Sequence, residues 1–321
     1  NALGLGNAAT PFGIRAMQEL NKLNPIKGTA TDPMILFLAI NTSSVTLLPT
    51  GIIALRAAAG SNDPAGILPT TLFATLLSTA VAIVSAKMLA KWNRQKHDYA
   101  DRPEVLIENS EEPESSEDLS GDGYPAWISA LALFALIALI PITVIFGTSI
   151  APWIIPSLML GFLTYGMIKK VPIYESFVEG AEDGFKVAVR IIPYLIAILV
   201  AVGMLRSSGA LDIFVGWVGY YTNSFGLPGD ALPMALLRPL SGSGAYGIVA
   251  ATINDPNIGP DSYTGYLVST LQGSTETTFY VLAVYFGAVQ IKRLRYALIV
   301  ALTADAAGIA GAIIACSYIF G

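Results

Sequence analysis

The chain has 321 residues, 54% of them hydrophobic and 13% charged, with a formal net charge of −5. A soluble domain carries about a quarter charged residues, so this balance predicts a membrane protein and excludes a disordered chain or a basic nucleic-acid-binding domain. One cysteine, Cys316, excludes an internal disulfide, and one histidine, His97, excludes His/Cys metal clusters and Ser-His triads within the chain.

In chain order, Asn1–Asn7 carries no signal peptide and reads as the middle of something, with its N-terminal part missing or supplied by another chain. Pro11–Leu23 is amphipathic, with Ile14, Met17 and Leu20 opposite Arg15, Gln18, Glu19 and Lys22, and predicts a helix at the membrane–water boundary. A bilayer crossing needs about 20 apolar residues. Met34–Ala59 is long enough but is broken by Asn41-Thr42-Ser43-Ser44 and Pro49, whereas Ile67–Leu89 is uninterrupted. Then the composition changes. Ten of the 23 acidic residues lie between Asp98 and Asp122, and so low an apolar content cannot bury a core. The chain therefore divides into a first unit (1–92), an acidic flexible linker (93–123, with a docking tail as the alternative) and a second unit (124–321).

The second unit predicts spans at Trp127–Phe146, Trp153–Ile168, Val187–Leu205 and Ala297–Phe320, and a partial span at Leu211–Tyr221. Pro172–Val187 is a second amphipathic helix; its acidic face (Glu175, Glu179, Glu182, Asp183) would be repelled by anionic lipid, so it is expected to pack on protein. Tyr263–Val289 is long enough to span but is broken by Gln272-Gly273-Ser274-Thr275-Glu276-Thr277-Thr278.

The two units share a pattern. Each opens with a small polar loop, Gly6–Thr10 or Ser241–Ala245. Each continues to an acidic helix start, Asp32-Pro33 or Asp261-Ser262, where Asp suits an N-cap and Pro the first turn. A broken span follows, then an alanine-rich span. Lys87, Lys91, Arg94 and Lys96 follow one closing span, whereas Lys292, Arg293 and Arg295 precede the other. Basic residues favour the cytoplasmic side, so the closing spans run in opposite directions and the repeat is inverted. The linker is then cytoplasmic. Inverted repeats with broken helices are the layout of many secondary transporters, with the site near the midplane. The expected fold is all-α: a polytopic membrane protein with inverted repeats and half-helices.

A polar run in a span needs a reason, because a break frees backbone groups that must be satisfied. One reading makes Asn41, Thr42, Ser43 and Ser44 face Gln272, Ser274, Thr275, Glu276 and Thr277 across a polar-solute site, with Asn7, Ser241 and Ser243 in the glycine-rich turns nearby. The other has these side chains bond their own backbone or glue helices together. Glu276 is the sharpest single residue: a carboxyl at mid-membrane is paired, protonated or binding something, and it is a candidate to couple transport to H⁺ or Na⁺. Asp305, Arg238 and Arg206 either join that role or pair with one another structurally. Ser241-Gly242-Ser243-Gly244 lacks the GK[ST] ending of a P-loop.

Leu5–Pro11 and Leu38–Ser44 resemble spore maturation protein A. Pro172–Gly180, Arg206–Ala210, Arg238–Gly242 and Gln272–Val281 resemble spore maturation protein B. The chain is thus similar to a fusion of the two families without the first part of the A half. The resemblance implies a nucleoside-recognition, or Gate, domain of the kind found in concentrative nucleoside transporters and bacterial ferrous iron transporters. It also implies an integral protein of the bacterial inner or cell membrane, linked in spore formers to dehydration of the spore core. No Cys or His stands near either break, so soft iron ligands are not available there.

The function expected from these readings is alternating-access transport of a small polar solute such as a nucleoside. A non-transporting scaffold in spore maturation or the envelope is the alternative, and a cation pathway through oxygen ligands a weaker one. No catalysis and no cofactor are expected. The expected partners are the lipid bilayer, the solute and a second copy of the chain.

Overall fold

A computed structural model describes residues 10–96, 159–182 and 207–321, together with isolated helical positions between 127 and 204. Residues 97–123 of the linker and most of the spans Trp127–Phe146 and Val187–Leu205 lie outside the described residues, as do Asn7 and Arg206.

The regular elements among the described residues are helices, apart from an isolated bridge between Thr29 and Arg293. The first unit contributes α1 (Thr10–Lys22), α2 (Asp32–Ser43), α3 (Thr50–Ala58) and α4 (Leu68–Lys96). Two helices follow, α5 (Met159–Ile168) and α6 (173–182). Then come α7 (Ala210–Thr222), the short α8 (Leu232–Leu237), α9 (Gly242–Ile253), α10 (Tyr263–Ser274), α11 (Thr278–Ala288) and α12 (Ala297–Phe320). Two of them, over Leu68–Asn93 and Ala297–Phe320, are long and apolar enough to cross a bilayer. Both broken spans appear as pairs of half-helices, α2–α3 and α10–α11. α4 continues to Lys96, seven residues past the apolar stretch that predicts it.

The succession α1–α4 is repeated by α9–α12, and the repeats interlock. The two long helices pack along each other in opposite directions: Gly311 lies against Ala74, Ser78 donates to the Ala304 carbonyl at 2.7 Å, and Thr303 meets Ser85 at 3.4 Å. The end of α4 that carries Lys87 therefore lies beside the start of α12, next to Lys292 and Arg293, and the basic residues gather at one end of the bundle. α2 and α10 flank the long pair and pack on both of its members. One apolar core joins α2, α11 and α12 around Met34, Leu38, Phe286 and Val300; a second joins α9, α10 and α12 around Val249, Leu267 and Ala312. This is an all-α membrane protein with inverted repeats and broken helices.

One expectation is corrected. Neither Asp32 nor Asp261 is an N-cap. Thr31 precedes α2 without a side-chain cap, and Ser262 caps α10 by accepting from the Gly265 N–H at 3.0 Å. Both carboxylates instead bond groups of the opposite repeat, where a guanidinium is in reach. The apolar face read on α1 is the one that packs: Met17 is buried in the first core, with Ile14 and Leu20 packed against it, and Gly13 lies against Tyr285 of α11.

Candidate functional site: two helix breaks in contact

The break between α2 and α3 has a local cause. Pro49 lacks an N–H and cannot continue a helix, and it stands as the residue before α3. Ahead of it, short polar side chains turn back on their own helix. Asn41 Nδ2 donates to the Phe37 carbonyl at 2.8 Å, Thr42 Oγ1 to that of Leu38 at 3.1 Å and Ser43 Oγ to that of Ala39 at 2.9 Å. Ser44 is buried at the turn, and its N–H donates to the Ile40 carbonyl at 3.0 Å.

The break between α10 and α11 contains no proline, and its cause is tertiary. Arg238, 5% exposed at the turn after α8, reaches across to the end of α10. Its Nε donates to the Gln272 carbonyl at 3.1 Å, one Nη donates to the Thr275 carbonyl, and the other donates to Thr277 Oγ1 at 2.9 Å. A cation is favoured at a helix C-terminus, where carbonyls lack partners. With these oxygens engaged, Thr275 adopts an extended conformation and the helix stops. The same turn braces the restart, because the Pro239 carbonyl accepts from the Phe279 N–H at 3.2 Å. Gly242 lies against Thr277, so close that a Cβ there would collide with its hydroxyl.

The two breaks meet. The Glu276 N–H donates to the Thr42 carbonyl at 2.8 Å. Gly273 packs on Thr71 of α4 and on Pro49, and Gly308 of α12 packs on Thr275 and Ser78. The Glu276 carboxylate remains 30% exposed, 3.9 Å from Arg238. Asp305 is buried on α12 and accepts from Thr278 Oγ1 at 2.6 Å, which ties the start of α11 to the long helix. Ser274 Oγ donates to the Leu271 carbonyl at 2.9 Å, and Ser241 caps α9 by accepting from the Gly244 N–H at 3.1 Å. Ser243 is half-buried in the first turn of α9. Among the described residues, Gln272 Oε1, Thr71 Oγ1, Thr79 Oγ1 and Asp305 Oδ1 are buried without a hydrogen-bond partner. These four belong to α4, α10 and α12, the three helices that meet at the second break; a fifth, Asp63 Oδ1, lies in the segment before α4.

The structure thus brings together Thr42, Gln272, Thr275, Glu276, Thr277 and Arg238, with Asp305 behind them. Sequence reasoning paired Arg238 with an acid but did not foresee that its hydrogen bonds go to two carbonyls and the Thr277 hydroxyl. It passed over Arg56 and Thr71 altogether; the signal for Arg56 was a lone basic residue inside a predicted span.

The model of the nucleoside recognition (Gate) family matches residues 188–292, which include the second break. Spore maturation protein B of Bacillus subtilis (strain 168) is 49% identical over 167 residues, 52% of this chain and 93% of that protein. Spore maturation protein A of the same organism is 50% identical over 84 residues, 26% of this chain, and the match spans 43% of that protein's length. No solved structure matches the chain. A match at this identity over nearly the full length of the B protein shows that the chain belongs to the spore maturation protein B family.

Proposed function

We propose that the chain is a transport protein of a bacterial membrane that binds a small polar solute, of nucleoside-like chemistry, between its two helix breaks. The observation that carries this reading is the hydrogen bond from Glu276 N–H to the Thr42 carbonyl. It joins the two repeats through the backbone groups that broken helices free, and a solute entering between the repeats would take over those groups. The partly exposed Glu276 carboxylate beside Arg238 offers an acceptor for a sugar hydroxyl or a base N–H, or a carrier for H⁺ or Na⁺. Alternating access would part the repeats at one end of the bundle and then at the other. The Gate match across the second break and its "nucleoside recognition" description favour this solute class.

The test is thermal stabilisation of the purified protein by nucleosides, nucleobases and mono- and divalent cations, beside the Glu276→Gln variant. A ligand at a hundredfold excess over its Kd stabilises the native state by about 2.7 kcal/mol. A shift with nucleosides that the variant loses supports the reading, whereas no shift with any of them removes it.

One observation favours a second reading, a non-transporting scaffold in spore maturation. Thr42, Ser43 and Ser274 donate their hydroxyl hydrogens to their own helices. A scaffold would tolerate Glu276→Gln in a sporulation assay; a transporter would not.

A further inference from the structure

We infer that Asp32 and Asp261 are a pair of gates, one at each end of the bundle, and that each fastens a half-helix of one repeat to the start of the long helix of the other. The inference rests on the alternating-access reading above and says where access would open.

The two aspartates occupy matching places in the repeats and do the same thing. Asp32 begins α2. Its Oδ1 accepts from Arg295 Nη1 at 2.7 Å and from the Tyr296 hydroxyl at 2.7 Å, both of which immediately precede α12. Asp261 stands two residues before α10. Its Oδ1 accepts from the Ser61 hydroxyl and from Arg56 Nη2 of α3 at 3.2 Å, and its Oδ2 accepts from the Asn62 N–H at 2.7 Å; Ser61 and Asn62 lie in the segment that leads into α4. Because α4 and α12 are antiparallel, these two attachments sit at opposite ends. The Asp32 attachment shares its end with Lys292 and Arg293, which the distribution of basic residues assigns to the cytoplasm.

Each attachment is seated on further contacts between the repeats. At the Asp32 end, the Gly28 carbonyl accepts from the Lys292 and Arg293 N–H groups at 2.9 and 3.0 Å, and the Ala30 N–H donates to the Arg293 carbonyl at 3.0 Å. At the other end Arg56 is fully buried, donates to the Pro260 carbonyl at 2.6 Å and to Ser269 Oγ at 3.3 Å, and lies 4.2 Å from the centre of the Tyr266 ring. The inner ends of α2 and α10 meet at the breaks. A half-helix is therefore held at its outer end by an aspartate and at its inner end by a hinge, so releasing one aspartate frees one half-helix and leaves the other closed. Charge-assisted bonds suit such a part, because they are stronger than neutral ones, and the carboxylates of Asp32 and Asp261, already partly exposed, are taken up by water when the segment lifts.

The only cysteine reports on one gate without being engineered. Cys316 is fully buried, and its thiol donates to Thr270 Oγ1 at 3.5 Å; the neighbouring residue, Ser269, is the one that Arg56 holds. At the other end Ala301 is fully buried in the core that contains Met34 and Tyr296. The experiment is maleimide labelling of the full chain in detergent or liposomes. Cys316 is the reporter for the Asp261 gate; Ala301→Cys in a Cys316→Ser background reports on the Asp32 gate.

Asp261→Asn is expected to raise the labelling rate of Cys316 roughly tenfold or more and to leave the Ala301→Cys site protected. Asp32→Asn is expected to do the reverse. Both reporters rising together, or neither responding, would overturn the inference. If Asp261→Asn fails to fold, Ser61→Ala removes one bond to the same carboxylate and should raise Cys316 labelling alone. No solute is needed. Separate responses from the two reporters without nucleoside binding would keep the gates and remove the solute reading, whereas nucleoside binding without separate responses would do the opposite.

Discussion

The Glu276 N–H donates to the Thr42 carbonyl at 2.8 Å, and this bond replaces one that each residue would have made inside its own helix. In a continuous α10 the Glu276 N–H would go to the Gln272 carbonyl, but that oxygen accepts from Arg238. In a continuous α2 the Thr42 carbonyl would accept from residue 46, which lies beyond the helix end. Each break thus supplies what the other lacks, and the repeats are registered on each other by backbone groups.

Glu276→Gln is expected to cost less than about 1 kcal/mol of stability. The carboxylate is 30% exposed and 3.9 Å from Arg238, beyond hydrogen-bond reach, and Arg238 keeps its bonds to the Gln272 and Thr275 carbonyls in the variant. Its fold should therefore be unchanged in circular dichroism and thermal melts, so a loss of ligand-induced stabilisation can be assigned to the site.

Arg238→Gln is expected to destabilise by about 3 kcal/mol, measured by thermal or denaturant unfolding in detergent. It removes a buried cation from the Gln272 and Thr275 carbonyls, and buried acceptors left without partners are costly. Arg238→Lys should recover only part of the loss, because an ammonium cannot span both carbonyls and the Thr277 hydroxyl as the guanidinium fork does.

Gly308→Ala is expected to cost about 1–3 kcal/mol by overpacking. Its Cβ would stand 2.6 Å from Thr275 Cγ2. Thr275→Ser deletes that methyl group, so the double variant should recover most of the single variant's loss in a thermal melt, which a double-mutant cycle would quantify.

Thr278→Val is expected to cost about 1–3 kcal/mol in the same melts, because it takes away the hydroxyl on Asp305 Oδ2, whose other oxygen is already without a partner among the described residues. Combining it with Asp305→Asn should be less than additive, since the two residues share one interaction.

Stability is expected to fall in acid through the Asp261 gate. Partial desolvation opposes ionisation there, but hydrogen bonds from Ser61 and Asn62 and the charge of Arg56 outweigh it and hold the Asp261 carboxyl below its usual 3.8. A depressed carboxyl contributes stability that is full above the usual value and is lost as the pH drops through the lower folded value. Nearby Asp63 runs the other way: burial raises it, against the pull of Arg56, so its contribution weakens as the pH rises. As the pH drops from 5, the melting-temperature difference between the parent chain and Asp261→Asn should shrink, because only the parent loses the Asp261 contribution.

The amino-acid sequence by itself determined where the two long apolar helices lie, that two further apolar stretches are interrupted, and that the halves repeat with opposite orientation. These properties are local: hydrophobic length, a proline at position 49, polar runs within apolar stretches, and clusters of basic residues. α12 coincides with the span read as Ala297–Phe320, and the interruption at Asn41–Ser44 coincides with the end of α2. Only the tertiary structure decided why α10 stops, because Gln272–Thr277 contains no helix breaker as strong as Pro49 and Arg238 comes from 34 residues away. It likewise decided that Asp32 and Asp261 turn away from their own helix starts. Both side chains are short acids at positions where a cap is the cheapest local option. A guanidinium and a hydroxyl from the opposite repeat offer charge-assisted bonds that no neighbour along the chain supplies, and a residue 205 positions away in sequence, as Arg56 is from Asp261, becomes a neighbour only when the repeats interlock.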